Sequence, residues 1–172
     1  AKNFRLMETP LDKTNKKYWK EVIAHRNDVL LEGIDIFKDY MVVSERKDGL
    51  TKLRIINWND KSDEHYLDFG EEAYLAYTSV NPDFNTEILR YGYTSLTTPN
   101  SVFDYDMKSR EKKLLKQEEV MGGFNSDEYE TKRLYATASD GTRIPISMVY
   151  KKGIEKNGEN PMLLYGYGSY GL

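Results

Sequence analysis

Along most of the chain, apolar and polar residues alternate in short runs, each closed by turn residues. Asp39–Ser44 (DYMVVS) leads through Asp48-Gly49, a hairpin signal, into Thr51–Trp58 (TKLRIINW), and the polar run NDKSDE then turns into His65–Phe69. A second series follows in the same order: Ala73–Val80, Glu87–Ser95, Asn100–Met107 and, after the turn KSRE, the run KKLLKQEEV. Strand patterns this dense, with almost nothing helical between them, predict an antiparallel, mainly β arrangement. One stretch reads differently. Asp12–Arg26 predicts a short helix, with Thr14 or Asn15 as N-cap and Trp19, Val22 and Ile23 as its apolar set; an irregular, turn-rich segment is the alternative.

The two series read as copies of one unit. An offset of about 49 positions lays Tyr40-x-Val42-x-Ser44 over Leu89-x-Tyr91-x-Tyr93, Leu53–Asp60 over Val102–Ser109, and Tyr66 over Leu115. Identities are few. What repeats is the order strand, turn, strand, Asn/Asp turn, strand. A period of roughly 40–50 residues with several strands in each copy predicts β-propeller blades, about two of them; a β-meander with similar turn spacing is the alternative. Two blades cannot close a ring, so a complete propeller needs more chain than this.

After Val120 the character changes. Met121–Glu130 is glycine-rich and acidic, which predicts a linker with a short turn of helix at Asp127–Glu130. Lys132–Gly153 then reads as a long hairpin: strand Arg133–Ala138, a turn at Ser139-Asp140-Gly141, and a return over Arg143–Tyr150. Pro145, without an N–H, belongs at an edge or a bulge. Beyond a polar loop, the continuous apolar run MLLY (Met162–Tyr165) has the pattern of a strand buried on both faces, as in a parallel sheet. The divisions expected are therefore 1–120, a linker at 121–132, and a second unit at 133–172.

Composition narrows the chemistry. With 172 residues, 39% of them hydrophobic, and a net charge of −3, the chain is expected to be soluble, without an electrostatic reason to bind nucleic acid. No apolar stretch has the length of a membrane span. The start, AKNFRLMETP, has neither a signal-peptide pattern nor an initiator Met and reads as an excised segment. Cysteine is absent, and the only histidines, His25 and His65, show no metal-ligand spacing, so neither a metal nor another cofactor is expected.

The chain closes on MLLYGYGSYGL, where Gly166, Gly168 and Gly171 spell G-x-G-x-x-G. A dinucleotide site needs a helix after the glycines and an acidic residue some way beyond. Neither follows here. No Gly-Lys-Ser/Thr marks a phosphate loop either. The remaining readings are a strand-end loop that lets a substrate approach the backbone, with tyrosine hydroxyls as donors to a developing oxyanion, or tyrosines that merely pack.

From SLTTPNSVFDYDM through SDEYETKRLYATASDGTRIPISMVYKKGIEKNGENPMLLYGYGSYG, the chain resembles the prolyl oligopeptidase family, and its YGYGSYG ending is more like the oligopeptidase B branch than the prolyl-specific branch. The likeness extends over roughly residues 30–172. It implies the end of a seven-bladed propeller followed by the first strands of an α/β-hydrolase domain. It also implies a serine peptidase acting on short peptides, with a preference for Lys or Arg at the cleavage point. On this resemblance Tyr165 is the oxyanion-stabilising donor, while Gly166 and Gly168 let the loop bend close to substrate, at positions expected to need unusual dihedrals. No G-x-S-x-G occurs in the chain, so the nucleophile and its Asp and His partners are expected outside it, and the isolated chain is expected to be inactive. His25 and His65 are expected as surface or blade residues. Exposed strand edges predict self-association. A β-repeat binding module without catalysis, and an esterase or acylaminoacyl-peptidase relative of the same architecture, remain as alternatives.

Overall fold

The computed structural model describes residues 2–60 and 62–166. Twelve strands make four antiparallel sheets among these residues. A two-stranded sheet joins β1 (Leu6–Glu8) and β2 (Lys20–Ile23). The first four-stranded blade is β3 (Val29–Ile36), β4 (Tyr40–Lys47), β5 (Leu50–Asn57) and β6 (Glu64–Tyr66), hydrogen-bonded in that order. The second is β7 (Tyr74–Thr78), β8 (Ile88–Ser95), β9 (Ser101–Asp106) and β10 (Lys112–Gln117), again in sequence order. A long hairpin, β11 (Tyr129–Thr137) with β12 (Arg143–Lys151), follows.

Local chemistry sets the turns. Lys47 and Leu50 pair across a two-residue loop in which Asp48 (φ 52) and Gly49 (φ 75) are both left-handed. This is the mirror-image turn whose twist matches that of the flanking strands. The offset of about 49 places β4 on β8, β5 on β9 and β6 on β10. Two four-stranded antiparallel sheets of matching order are propeller blades, and the period marks them.

Three segments depart from the sequence reading. Asp12–Arg26 is not an α-helix: it holds a single 3₁₀ turn at Lys16–Tyr18 and then β2. Asn15 makes no side-chain cap bond, and the apolar Ile23 pairs with Leu6 instead of lining a helix face. β3 has no counterpart in the predicted strands, because a register shift between Leu31 and Gly33 breaks its alternation. β11 begins at Tyr129, inside the segment read as linker, after a 3₁₀ turn at Ser126–Glu128 whose Asn125 side chain accepts from the Asp127 N–H. Pro145 faces Tyr135 in a sheet of only two strands, where each strand is an edge.

The blades stack face to face. Tyr40 and Val42 of β4 and Leu53 and Ile55 of β5 point one way, into a core shared with Ala76, Leu89, Tyr91, Tyr93 and Tyr105 of the second blade. Each such side chain taken fully out of water contributes about 1.5–3 kcal/mol, so this seam outweighs any single polar contact in the molecule. Thr51 Oγ1 stitches it by accepting the Ala76 N–H at 3.0 Å. The intervening residues Met41 and Val43 point the other way, onto Ile23, Leu6 and Val22 of the small sheet. The first blade is thus covered on both faces.

On that second side a buried ion cluster sits among the apolar residues. Glu45, 1% exposed, accepts from the Tyr66 hydroxyl at 2.8 Å, pairs with Arg54 Nη2 at 2.7 Å and is also held by Arg26. Arg54 Nη1 reaches Glu64 at 3.0 Å. Removing one member leaves buried charge without its partner. Glu45→Gln is expected to lower stability by about 3–5 kcal/mol, read from the midpoint of urea denaturation; an unchanged midpoint would show that the cluster does not hold the blade to the small sheet.

Candidate functional site

The site residues chosen from sequence lie after β12. Residues 161–166 carry no regular secondary structure, and Met162, Leu163, Leu164 and Tyr165 are all exposed, Tyr165 at 79%. The run MLLY is therefore not a strand among the described residues. Gly166 is outside the left-handed region, and a Cβ added to it would meet no described atom within 4 Å. Gly168 lies outside the described residues. His65 is a seam residue of β6: its Nε2 lies 2.8 Å from the buried Tyr105 hydroxyl, and burial, with the nearby Arg110 guanidinium, pushes its imidazole pKa down. His25 is half-buried beside β2. Among the described residues no group of three or more His, Asp or Glu side chains is placed to hold a metal ion, and no helix is long and apolar enough to cross a membrane.

The polar centre that the structure assembles lies elsewhere, where the blade ends meet the hairpin. Glu71, in the link between the blades, accepts from Tyr93 Oη at 2.8 Å, Thr98 Oγ1 at 2.7 Å and Thr97 Oγ1 at 2.9 Å. Burial pushes its carboxyl up, but the hydroxyls of Ser95, Thr98, Tyr93 and Thr97 more than offset this and hold it below the usual carboxylate range. Burial and the facing Glu71 carboxylate together push the Tyr93 phenol far up. Both oxygens of Glu71 are committed to hydroxyl donors, so its chemistry is that of an anchor rather than a general base. Glu72, its neighbour, turns to the hairpin instead and accepts the Arg133 N–H at 2.9 Å. Sequence reasoning missed this centre. The Thr97-Thr98-Pro99 turn stood out only as part of a family likeness, and nothing local ties it to an acid 26 residues earlier.

Residues 1–118 match the family model described as prolyl oligopeptidase, N-terminal β-propeller domain. The chain belongs to the prolyl oligopeptidase family. Its relatives in that family are peptidases by name. Dipeptidyl aminopeptidase BI of Pseudoxanthomonas mexicana is 43% identical over 172 residues, 99% of this chain and 23% of that protein. Protease 2 of Moraxella lacunata is 28% identical, over 99% of this chain and 24% of its own length. Among solved structures, oligopeptidase B from Trypanosoma brucei in its closed form, with covalently bound antipain, superposes with a TM-score of 0.77 at 36% identity, covering 88% of this chain and 22% of that one. Oligopeptidase B from Leishmania major gives the same TM-score at 28% identity, over 91% and 23% of the two chains. The chain spans about a quarter of the length of the curated relatives it matches.

In this propeller portion of a prolyl oligopeptidase family member, Glu71 gives a pH-dependent contribution. Its folded pKa is depressed, so the stabilisation is fully present above the unfolded carboxylate value of 4.5 and is lost as pH falls through the lower folded value. Glu71→Gln is therefore expected to be less stable than the unaltered chain at neutral pH and to approach it as the solution is acidified through the lowered Glu71 value, by urea denaturation at each pH. A constant difference at all pH values would assign the effect to packing instead.

Proposed function

We propose that this chain is the propeller-to-hydrolase junction of a serine peptidase that hydrolyses short peptides. The reading is supported by one observation above the others: a propeller match over residues 1–118 runs directly into a hairpin and an apolar segment ending in Tyr165-Gly166. On this reading residues 1–120 close the propeller, 121–132 link, and 133–172 open the hydrolase domain. The triad serine, histidine and aspartate belong to the parent beyond these residues. Serine attacks the scissile carbonyl, histidine carries the proton to the leaving amine, and the Tyr165 hydroxyl donates to the oxyanion beside a backbone N–H. Tyrosine suits that role because it is neutral at working pH and its donor sits on a rigid ring. Gly166 and Gly168 keep side chains off the approach to the substrate.

Cleavage after Lys or Arg is the specificity proposed, selected by acidic residues of the parent outside this chain. The 43% identity to a protein named dipeptidyl aminopeptidase favours a second reading, in which the parent removes dipeptides from peptide N-termini. Assaying the full-length parent on blocked peptides with an internal Arg, against unblocked dipeptide-releasing substrates, separates the two. A parent without a G-x-S-x-G would instead favour a β-repeat binding module.

In the parent, Tyr165→Phe is expected to lower kcat by about 10²–10³ with KM little changed, since one oxyanion donor is lost in the transition state only. Unchanged turnover would remove Tyr165 from the mechanism. The isolated chain exposes apolar side chains on the hairpin and its continuation, among them Leu134, Ile144, Val149, Leu163 and Leu164. It is expected to self-associate through this surface, with its sedimentation coefficient rising with concentration. A concentration-independent monomer would count against the hairpin as the open edge.

A further inference from the structure

The β11–β12 hairpin touches both blades, and it does so through one residue more than any other. Arg133 Nη2 donates to the Asp48 carbonyl at 2.7 Å, at the tip of the β4–β5 turn in the first blade. Its Nη1 donates to Ser147 Oγ on β12 at 2.6 Å, which fixes the guanidinium plane. Its main-chain N–H goes to Glu72, in the link to the second blade, at 2.9 Å. The neighbours of Arg133 extend this second attachment: Lys132 Nζ lies 3.6 Å from Glu72 Oε1, and Thr131 Oγ1 lies 3.4 Å from Thr97 Oγ1 in the β8–β9 turn. The turn is shaped to receive the arginine. A Cβ on Gly49 would stand 2.7 Å from Arg133 Nη2 and 3.4 Å from Pro145 Cγ, so a side chain there would push the guanidinium aside, and the positive φ favours glycine as well.

We propose that the hairpin is a staple across the seam between the two blades, with Arg133 as its pin on the first blade and Glu72 and Thr97 as its attachments on the second. The seam itself supplies the connection. Thr51, whose hydroxyl accepts the Ala76 N–H across the blades, stands two residues beyond Gly49 in the turn that Arg133 grips. Holding the Asp48 carbonyl therefore holds the strand that presents Thr51. Releasing it frees the turn, and the inter-blade bond at Ala76 opens more often. Arginine is suited to the pin because its planar fork serves the Asp48 carbonyl and Ser147 together; a lysine ammonium lacks that rigid fork.

Residue-resolved hydrogen exchange on this chain tests the proposal directly and needs no peptidase activity. Arg133→Gln is expected to raise exchange of the Ala76 amide about tenfold, the effect of losing one charge-assisted hydrogen bond, with Arg133→Lys in between. Glu72→Gln, a change at an exposed position, is expected to raise exchange at Arg133 and at Ala76 together, and it serves as the second variant if Arg133→Gln does not fold. Faster exchange confined to residues 129–151, with Ala76 unchanged in either folded variant, would overturn the staple and leave the family reading untouched.

Discussion

The packing of one pleated face against another carries this molecule. Tyr40, Val42, Leu53 and Ile55 on one sheet meet Ala76, Leu89, Tyr91 and Tyr93 on the next, and the alternation that places them inward also sends Met41 and Val43 to the opposite side. The first blade can therefore be sandwiched while its central strands β4 and β5 keep a simple period of two. Polar groups enter this arrangement only where they are matched. Glu45 is buried with two arginines and a tyrosine hydroxyl, and Glu71 is ringed by hydroxyls at the rim. The apolar seam supplies the energy, while the Glu45 cluster lies toward the small sheet and the Glu71 rim toward the hairpin.

That geometry bears on the proposed chemistry through chain connectivity. β12 leads through the polar loop to Pro161 and then to Met162–Tyr165. Whatever orients the hairpin on the blades therefore sets where the chain towards Tyr165 departs. A hydroxyl meant to meet a developing negative charge must be placed within a fraction of an ångström. Met162, Leu163, Leu164 and Tyr165 stand largely in solvent.

Much of the blade architecture was legible because its signals are local. Asp48-Gly49 specifies a two-residue turn by itself, and the strands around Val42, Ile55, Tyr91 and Tyr105 pair without a shift of register. Where one residue breaks the phase, the reading failed. The irregularity at Leu31–Gly33 hid β3, and Trp19, Val22 and Ile23 imitated a helical face although β-branched Val22 and Ile23 sit in an edge strand. The polar rim was not legible, because Glu71, Tyr93, Thr97 and Thr131 are brought together only by the fold. Tyr165 was singled out by resemblance alone, and it stands largely exposed here.

The bond from Ala76 to Thr51 has a consequence for how such blades remain separate molecules. β7 is the free margin of its sheet, and its open main-chain donors invite a foreign strand. Occupying the Ala76 N–H with a hydroxyl from the adjacent blade leaves an intruder one fewer place to begin. Thr51 of the first blade thereby covers one donor on the margin of its neighbour.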